Sequence, residues 1–377
     1  MIYFDNNATT ALAPEAEAEM QEAERQFGNP SSVHYAGREA RRLLNEARER
    51  IAKVFRVPES ALVFTSGGSE SLNAAMLGTL LCEAGPRHLV VSKVEHSAVL
   101  KTAEYLAALG VEVTYLGVDE EGRMDLHELE AALLPHTKLI AVMFANNEIG
   151  NLYPVKRIGE IGRARGIPYL CDAVQAVGRL EIDLSRLPID FLAASAHKFH
   201  GPKGAGLLFI RDGLELSPLL HGGRQERGHR AGTENLPGIV GMAAALELSA
   251  LRSMEEQRKI ARLRDHLQAG LAEKIPGVLF SGDPEHRIAG TLNFRVPGVS
   301  GETLLMNLDL AGIAVSVGAA CDSGSLEPSH VLMAMGLSEE EALGGVRVSL
   351  SRYNTEAEVE EFLTVLPRLV EKIRAAA

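Results

Sequence analysis

Continuous apolar runs alternate with amphipathic stretches between residues 60 and 210. Runs such as HLVVS (88–92), PYLCDAV (168–174) and GLLFI (206–210) lack the in-out alternation of a half-exposed strand. Runs of this kind are typical of strands that are covered on both faces. The stretches between them, such as 97–110 and 155–166, have the composition of helices. The pattern predicts an α/β fold with a large, doubly wound, mostly parallel sheet.

The pattern changes near residue 254. A long, charged, amphipathic stretch at 254–275 is followed by shorter apolar runs and by a closing helical stretch at 356–376. This pattern of apolar runs and helical stretches predicts a smaller α+β domain. We expect a large domain over residues 15–253 and a small domain formed by 1–14 and 254–377. We expect the functional site in the crevice between the two domains, where ligand sites are common.

Composition narrows the class of protein. The net charge is −12 and no segment carries a basic cluster, so the sequence does not predict a surface that binds a nucleic acid or an anionic membrane. The N-terminus lacks the pattern of a secretory leader, and no stretch is apolar enough to span a bilayer. Three widely spaced cysteines predict neither a disulfide framework nor a zinc site. We expect a cytoplasmic protein without a metal site.

Polar side chains follow several of the predicted strands, where parallel sheets bind their ligands. The turn TSGGSES (65–71) opens a helix and suits a phosphate, His96 follows another strand, and Asp172 ends a third. Lys198 lies between two histidines on a short polar segment, where lost hydration favours a neutral, nucleophilic amine. Taken singly, each has a structural alternative: an ordinary helix cap, a packed imidazole or a surface lysine.

Together these residues match the needs of one cofactor. Pyridoxal phosphate needs a lysine for covalent attachment, an acid beside the pyridine nitrogen, an anion site for the phosphate and a flat group over the ring. Lys198, Asp172, the turn with Ser69, and His96 supply these four functions.

With this set of residues, the chain resembles a known family, the group I cysteine desulfurases of the NifS and IscS type. These belong to the fold-type I, class V aminotransferase enzymes that use pyridoxal phosphate. The resemblance runs in order from residue 3 to about 355. It is carried by the motifs FDNNATT, FGNPSSVH, FTSGGSES, VEHSAV, NNEIG, DAVQAVG, SAHKFHGPKGAG, HGGRQERGHRAGT and CDSGSLEPSHVL.

The resemblance implies a role for each matching residue. Lys198 would hold the cofactor, His96 would stack on its ring, Asp172 would pair with the pyridine nitrogen and Gln175 with the phenolic oxygen. The phosphate would be bound by Gly68, Ser69, Ser195 and His197, joined by Thr233 of a neighbouring subunit, which implies a homodimer. Asn147 and Arg347 would hold the substrate carboxylate, with Asn147 also beside the cofactor.

Cys321 decides which reaction the sequence predicts. It lies in a run of small residues with glycines on both sides, whereas Cys82 is expected on the apolar face of a helix and Cys171 in a buried strand. By the resemblance, Cys321 would attack the sulfur of L-cysteine, leaving L-alanine and an enzyme persulfide, with His96 as a proton carrier. The sulfur would pass to an acceptor protein, either an iron-sulfur scaffold or a tRNA-thiolation protein.

Three other functions stay open at this stage. A selenocysteine lyase shares the fold and the cofactor, and in a class V aminotransferase Cys321 would be incidental. A non-catalytic partner or scaffold is the third, although the presence of Lys198, His96, Asp172 and Cys321 together argues against it.

Overall fold

The computed structural model describes residues 1–82, 85–318 and 327–376. In these residues the strands are β1 Ile2–Tyr3, β2 Leu62–Thr65, β3 His88–Ser92, β4 Glu112–Leu116, β5 Thr137–Ala141, β6 Tyr169–Asp172, β7 Phe191–Ser195, β8 Gly206–Ile210, β9 Leu279–Ser281, β10 Thr291–Arg295, β11 Ile313–Ala314, β12 Ser316–Val317 and β13 Val346–Ser349. The α-helices are α1 Pro14–Glu24, α2 Tyr35–Phe55, α3 Gly68–Leu80, α4 Ser97–Ala108, α5 Leu126–Ala132, α6 Val155–Ala164, α7 Leu236–Lys274, α8 Gly301–Leu310, α9 His330–Ala334, α10 Glu339–Leu343 and α11 Glu356–Ala376.

The large sheet has the order β2-β8-β7-β6-β5-β3-β4. β8 runs antiparallel to both of its neighbours, and the other neighbouring pairs are parallel. A short connection joins β7 directly to β8, so the chain reverses, whereas parallel neighbours need a longer crossover. The prediction of a mostly parallel sheet in an α/β fold is confirmed.

The register of this sheet brings two connections to one edge. Gly206, the first residue of β8, pairs with Thr65 at the end of β2 and with Ser195 at the end of β7. The turn after β2 and the segment that carries Lys198 therefore begin side by side. This edge is where polar residues that are distant in sequence can meet.

A second, smaller sheet has the antiparallel order β12-β13-β10-β9, and β1 pairs in parallel with β11. Helix α7 joins the two regions. Its first part, including Leu236 and Leu246, packs in the core beneath the large sheet, and its later part, including Leu267 and Leu271, packs in the core of the small sheet. The helix predicted at 254–275 is thus the second part of a longer helix that begins at Leu236.

Two local features bear on the cysteine predictions. Cys171 is fully buried in β6, as predicted. The prediction for Cys82 is wrong, because α3 ends at Leu80 and leaves Cys82 exposed just beyond it. None of the helices in the described residues combines the length and the apolar composition needed to cross a bilayer.

Candidate active site

A cavity of about 260 Å³ lies at the edge where β6 and β7 end. Its lining contains every predicted cofactor residue except Thr233: Gly68, Ser69, His96, Asn147, Asp172, Gln175, Ser195, His197 and Lys198. These residues come from five separate segments of the chain, which the sheet brings together. The volume is close to the lower end, roughly 300 Å³, of small-molecule sites.

One end of the cavity is suited to an anion. Helix α3 begins there at Gly68, and no side chain in the described part of the chain caps its N-terminus. The free N–H groups and the helix dipole favour a negative group at this position. The turn packs tightly on β8, because a Cβ at Gly206 would lie 2.4 Å from the Cα of Gly67. Glycine at position 206 therefore allows the turn to lie this close to the sheet.

Lys198 ends a short 3-10 turn that directly follows β7. Its Nζ donates hydrogen bonds to the backbone oxygens of Asn7, at 2.6 Å, and Ala8, at 2.8 Å. Burial, together with the positive charges of Arg347 and Arg179, lowers the pKa of Lys198 to about 8. About a tenth of this side chain is therefore a neutral amine at pH 7, far more than for a lysine of ordinary pKa, and the neutral form is the one that nucleophilic chemistry requires.

Asp172 and His96 lie on the same cavity. Burial raises the pKa of Asp172, while His96, Lys198 and the hydrogen bond from the Val174 N–H to Oδ1 act in the opposite direction. Burial lowers the pKa of His96, whose Nδ1 accepts a hydrogen bond from the backbone N–H of Ala98 at 3.1 Å. A neutral His96 then carries its proton on Nε2. A buried carboxyl of this kind favours a cationic or N–H partner.

Gln175 provides a direct test of whether a group such as pyridoxal phosphate fits. Its Nε2 donates to the backbone oxygen of Asn7 at 2.9 Å, whereas its buried Oε1 has no partner among the described residues. An unpaired buried polar atom costs free energy unless a ligand or water satisfies it. This acceptor atom, the free N–H groups of the helix terminus, the carboxyl of Asp172 and the amine of Lys198 are the kinds of polar group that pyridoxal phosphate needs around it, so the residues fit it.

The predicted carboxylate-binding residues are adjacent, but Arg347 already has partners. Its guanidinium donates to Asp5 Oδ1 at 2.8 Å and to the backbone oxygen of Asn147 at 3.0 Å, while its buried Nε has no partner in the part of the chain that the structure describes. A substrate carboxylate at this position would share Arg347 with Asp5. The sequence analysis did not anticipate this ion pair.

Two predicted residues lie away from the cavity or cannot be placed. Thr233 is exposed and does not line the cavity of its own subunit. Cys321 lies outside the described residues.

Comparison with known proteins connects this geometry to a family. A family model described as aminotransferase class-V matches residues 2–362. The chain belongs to that family. A curated protein of Trichormus azollae named cysteine desulfurase is 46% identical over 376 residues, covering 100% of this chain and 94% of its own length.

Solved structures agree in fold. A protein titled NifS-like is 39% identical with a TM-score of 0.92, and the match covers 98% of this chain and 99% of the other. A structure titled "SspA in complex with cysteine" is 34% identical with a TM-score of 0.83, covering 94% of this chain and 100% of the other. The predicted resemblance to cysteine desulfurases within a fold-type I architecture is confirmed.

Asn7 is a residue of the site that the sequence analysis missed. It accepts hydrogen bonds from Lys198 and Gln175, and its Nδ2 donates to the backbone oxygen of Asn147 at 3.0 Å and to Thr291 Oγ1 at 2.8 Å. The motif FDNNATT contains it and was part of the resemblance, but no role was assigned to it. A run of adjacent asparagines near an N-terminus was the only available signal.

Proposed function

We propose that this protein is a pyridoxal phosphate-dependent cysteine desulfurase. It converts L-cysteine to L-alanine and transfers the sulfur to Cys321 as a persulfide. The observation that carries the proposal is the placement of the Lys198 amine, the Asp172 carboxyl and the uncapped N-terminus of α3 on one cavity. The cysteine desulfurase relatives and the cysteine-bound neighbour support the choice of substrate.

Each part of the cofactor has residues that would hold it. The N-terminus of α3 with Ser69 would take the phosphate, Asp172 the ring nitrogen, and the imidazole of His96 one face of the ring. When bound, pyridoxal phosphate supplies an electron sink that makes the bonds at Cα and Cβ of an amino acid easier to break. The amine of Lys198 would provide the covalent attachment.

The chain's own residues supply the proton and sulfur chemistry. Because burial and neighbouring cations lower the pKa of Lys198 to about 8, its amine can accept the Cα proton near neutral pH. Neutral His96 can donate or accept a proton beside it. The thiolate of Cys321 attacks the substrate sulfur and breaks the carbon-sulfur bond, so cysteine and enzyme thiol yield alanine and enzyme persulfide.

The assembly and the destination of the sulfur complete the proposal. The protein acts as a homodimer in which Thr233 of one subunit reaches the phosphate in the other, in agreement with its exposure here. Three cysteines without paired spacing fit the reducing environment of the cytoplasm. The persulfide goes to an acceptor protein of iron-sulfur cluster assembly or of tRNA thiolation.

The test measures both products from L-cysteine in the presence of dithiothreitol. We expect alanine and sulfide in equal amounts, and loss of sulfide in Cys321→Ser but not in the control Cys82→Ser, since Cys82 is exposed beyond α3 and away from the cavity. Borohydride reduction should attach the cofactor at Lys198. Unchanged sulfide from Cys321→Ser would refute the nucleophile assignment, and alanine formed only with a keto acid would indicate an aminotransferase.

A further inference from the structure

The Lys198 amine donates hydrogen bonds to two adjacent backbone carbonyls near the N-terminus, those of Asn7 and Ala8, and the Asn7 carbonyl has a second donor. The Asn7 oxygen accepts from Lys198 Nζ at 2.6 Å and also from Gln175 Nε2 at 2.9 Å. Contacts that fix the position of Asn7 therefore also fix the amine of Lys198 and the amide of Gln175, which lines the cavity. The backbone N–H of Asn7 is held by Ser349 Oγ at 2.9 Å.

Arg179 holds the side chain of Asn7 from the other side. Its NH1 donates to Asn7 Oδ1 at 2.7 Å, and its NH2 donates to the backbone oxygen of Asn6 at 3.3 Å. Arg179 follows Gly178, where a Cβ would lie 2.3 Å from the Cβ of Phe199. The turn that carries Arg179 is thus in direct contact with the residue after Lys198, and the two cations share a small cavity of about 30 Å³.

Among residues 1–82, 85–318 and 327–376, no carboxylate acts on the charge of Arg179. The cations Arg347 and Lys198 lie near it, and burial together with the charge of Arg347 lowers the pKa of Arg179 to about 10. Arg347 itself is neutralised by Asp5. Lys198 faces charged or titratable groups from every surrounding element: Arg347, Arg179, Asp172, Asp5, His96 and His197.

We propose that Arg179 is a positioning residue for the reactive amine: it fixes the Asn7 carbonyl that holds Lys198, and its unneutralised charge opposes protonation of that amine. Two positive charges this close disfavour each other, whereas a neutral amine next to Arg179 meets no such repulsion. The inference rests on the proposed function only in taking Lys198 as the amine that carries the cofactor.

The test measures the protonation of Lys198 directly in the full chain after the cofactor is removed. The rate at which an amine-reactive acylating reagent labels Lys198 is followed against pH by peptide mass spectrometry, with exposed Lys156 as the reference in the same sample. In Arg179→Gln we expect the midpoint to rise by about one unit, so that labelling at pH 7 falls about tenfold. Arg179→Lys keeps the charge and should keep the wild-type midpoint.

A second variant without the charge keeps the test valid if Arg179→Gln does not fold. Arg179→Met replaces a partly buried cation by an apolar side chain of similar length, a change that removes its desolvation cost. Its midpoint should rise as that of Arg179→Gln does. The proposal is overturned if neither neutral variant moves the midpoint, or if Arg179→Lys moves it equally. A borohydride adduct on a lysine other than Lys198 would instead refute the proposed function.

Discussion

Glu226 joins the loop 221–233, which carries Thr233, to the body of the protein through a buried ion pair. Glu226 Oε1 lies 2.5 Å from Arg48 NH2, with side-chain exposures of 2% and 6%, and its Oε2 accepts from the Phe64 N–H at 2.9 Å. Glu226 and Arg227 both have positive φ, 45° and 58°. Such backbone costs about 1–3 kcal/mol per residue and persists only where its surroundings hold it.

The size of the effect follows from what each substitution leaves behind. Glu226→Leu leaves a buried, unpaired Arg48, which costs about 3–5 kcal/mol. Arg48→Met leaves the Glu226 carboxylate buried in the same way. The double variant removes both charges and takes one partner each from the Phe64 N–H and the Leu62 carbonyl, and an unsatisfied buried polar group of this kind costs about 1–3 kcal/mol. We therefore expect the double variant to lose less stability than either single variant.

Urea unfolding of the four proteins at one protein concentration gives the free energies for a double-mutant cycle. The control cycle uses Arg42→Met and Glu46→Leu, an exposed pair at 2.7 Å whose coupling should be only about 0.3–0.5 kcal/mol. If the effects at 48 and 226 simply add, the pair does not hold the loop and the reasoning is refuted. Weaker cofactor binding by Glu226→Leu should accompany its loss of stability.

Three further predictions concern the site. In cofactor-free Lys198→Met, the unfolding free energy relative to wild type should fall by roughly 2–3 kcal/mol between pH 7 and 10.5. The pKa of Lys198 is about 8 in the folded protein, below its ordinary value of 10.5. Between these two pH values the unfolded chain holds a proton that the folded chain lacks, so the stability of the wild type rises with pH; parallel curves for the two proteins would contradict this. Gly206→Ala should lower the free energy of unfolding by about 1–3 kcal/mol and weaken phosphate binding, since its Cβ would lie 2.4 Å from the Cα of Gly67. The control Gly117→Ala, whose Cβ would have its nearest neighbour at 3.6 Å, should be tolerated; equal melting temperatures of the two variants would argue against the close contact. Mixing inactive Lys198→Ala and Thr233→Ala subunits should restore activity, because one site of the hybrid dimer is intact; no recovery in verified hybrids would place Thr233 outside the partner's site.

Local patterns were enough to predict the large sheet and four groups of the cavity, the turn with Ser69, His96, Asp172 and Lys198, whereas the other cavity residues were predicted from the family resemblance. Strand β3 was predicted at 88–92 and lies there, because a continuous apolar run reflects a strand covered on both faces wherever its neighbours come from. Asp172 and Lys198 were found because the ends of parallel strands meet at one edge of a sheet. The same reasoning misplaced Cys82, since helix ends depend on capping and packing beyond the local pattern.

Sequence by itself determined the fold class, the family resemblance and the residues that could carry the chemistry. Tertiary structure decided how those residues are charged and held. Asn7 meets Lys198 and Arg179, Arg347 meets Asp5, and Glu226 meets Arg48, each across more than 170 residues of chain. No periodicity encodes such pairs, because periodicity reports only which face of an element is buried, whereas pKa values and ion pairs depend on which charges the packed elements bring within a few ångströms.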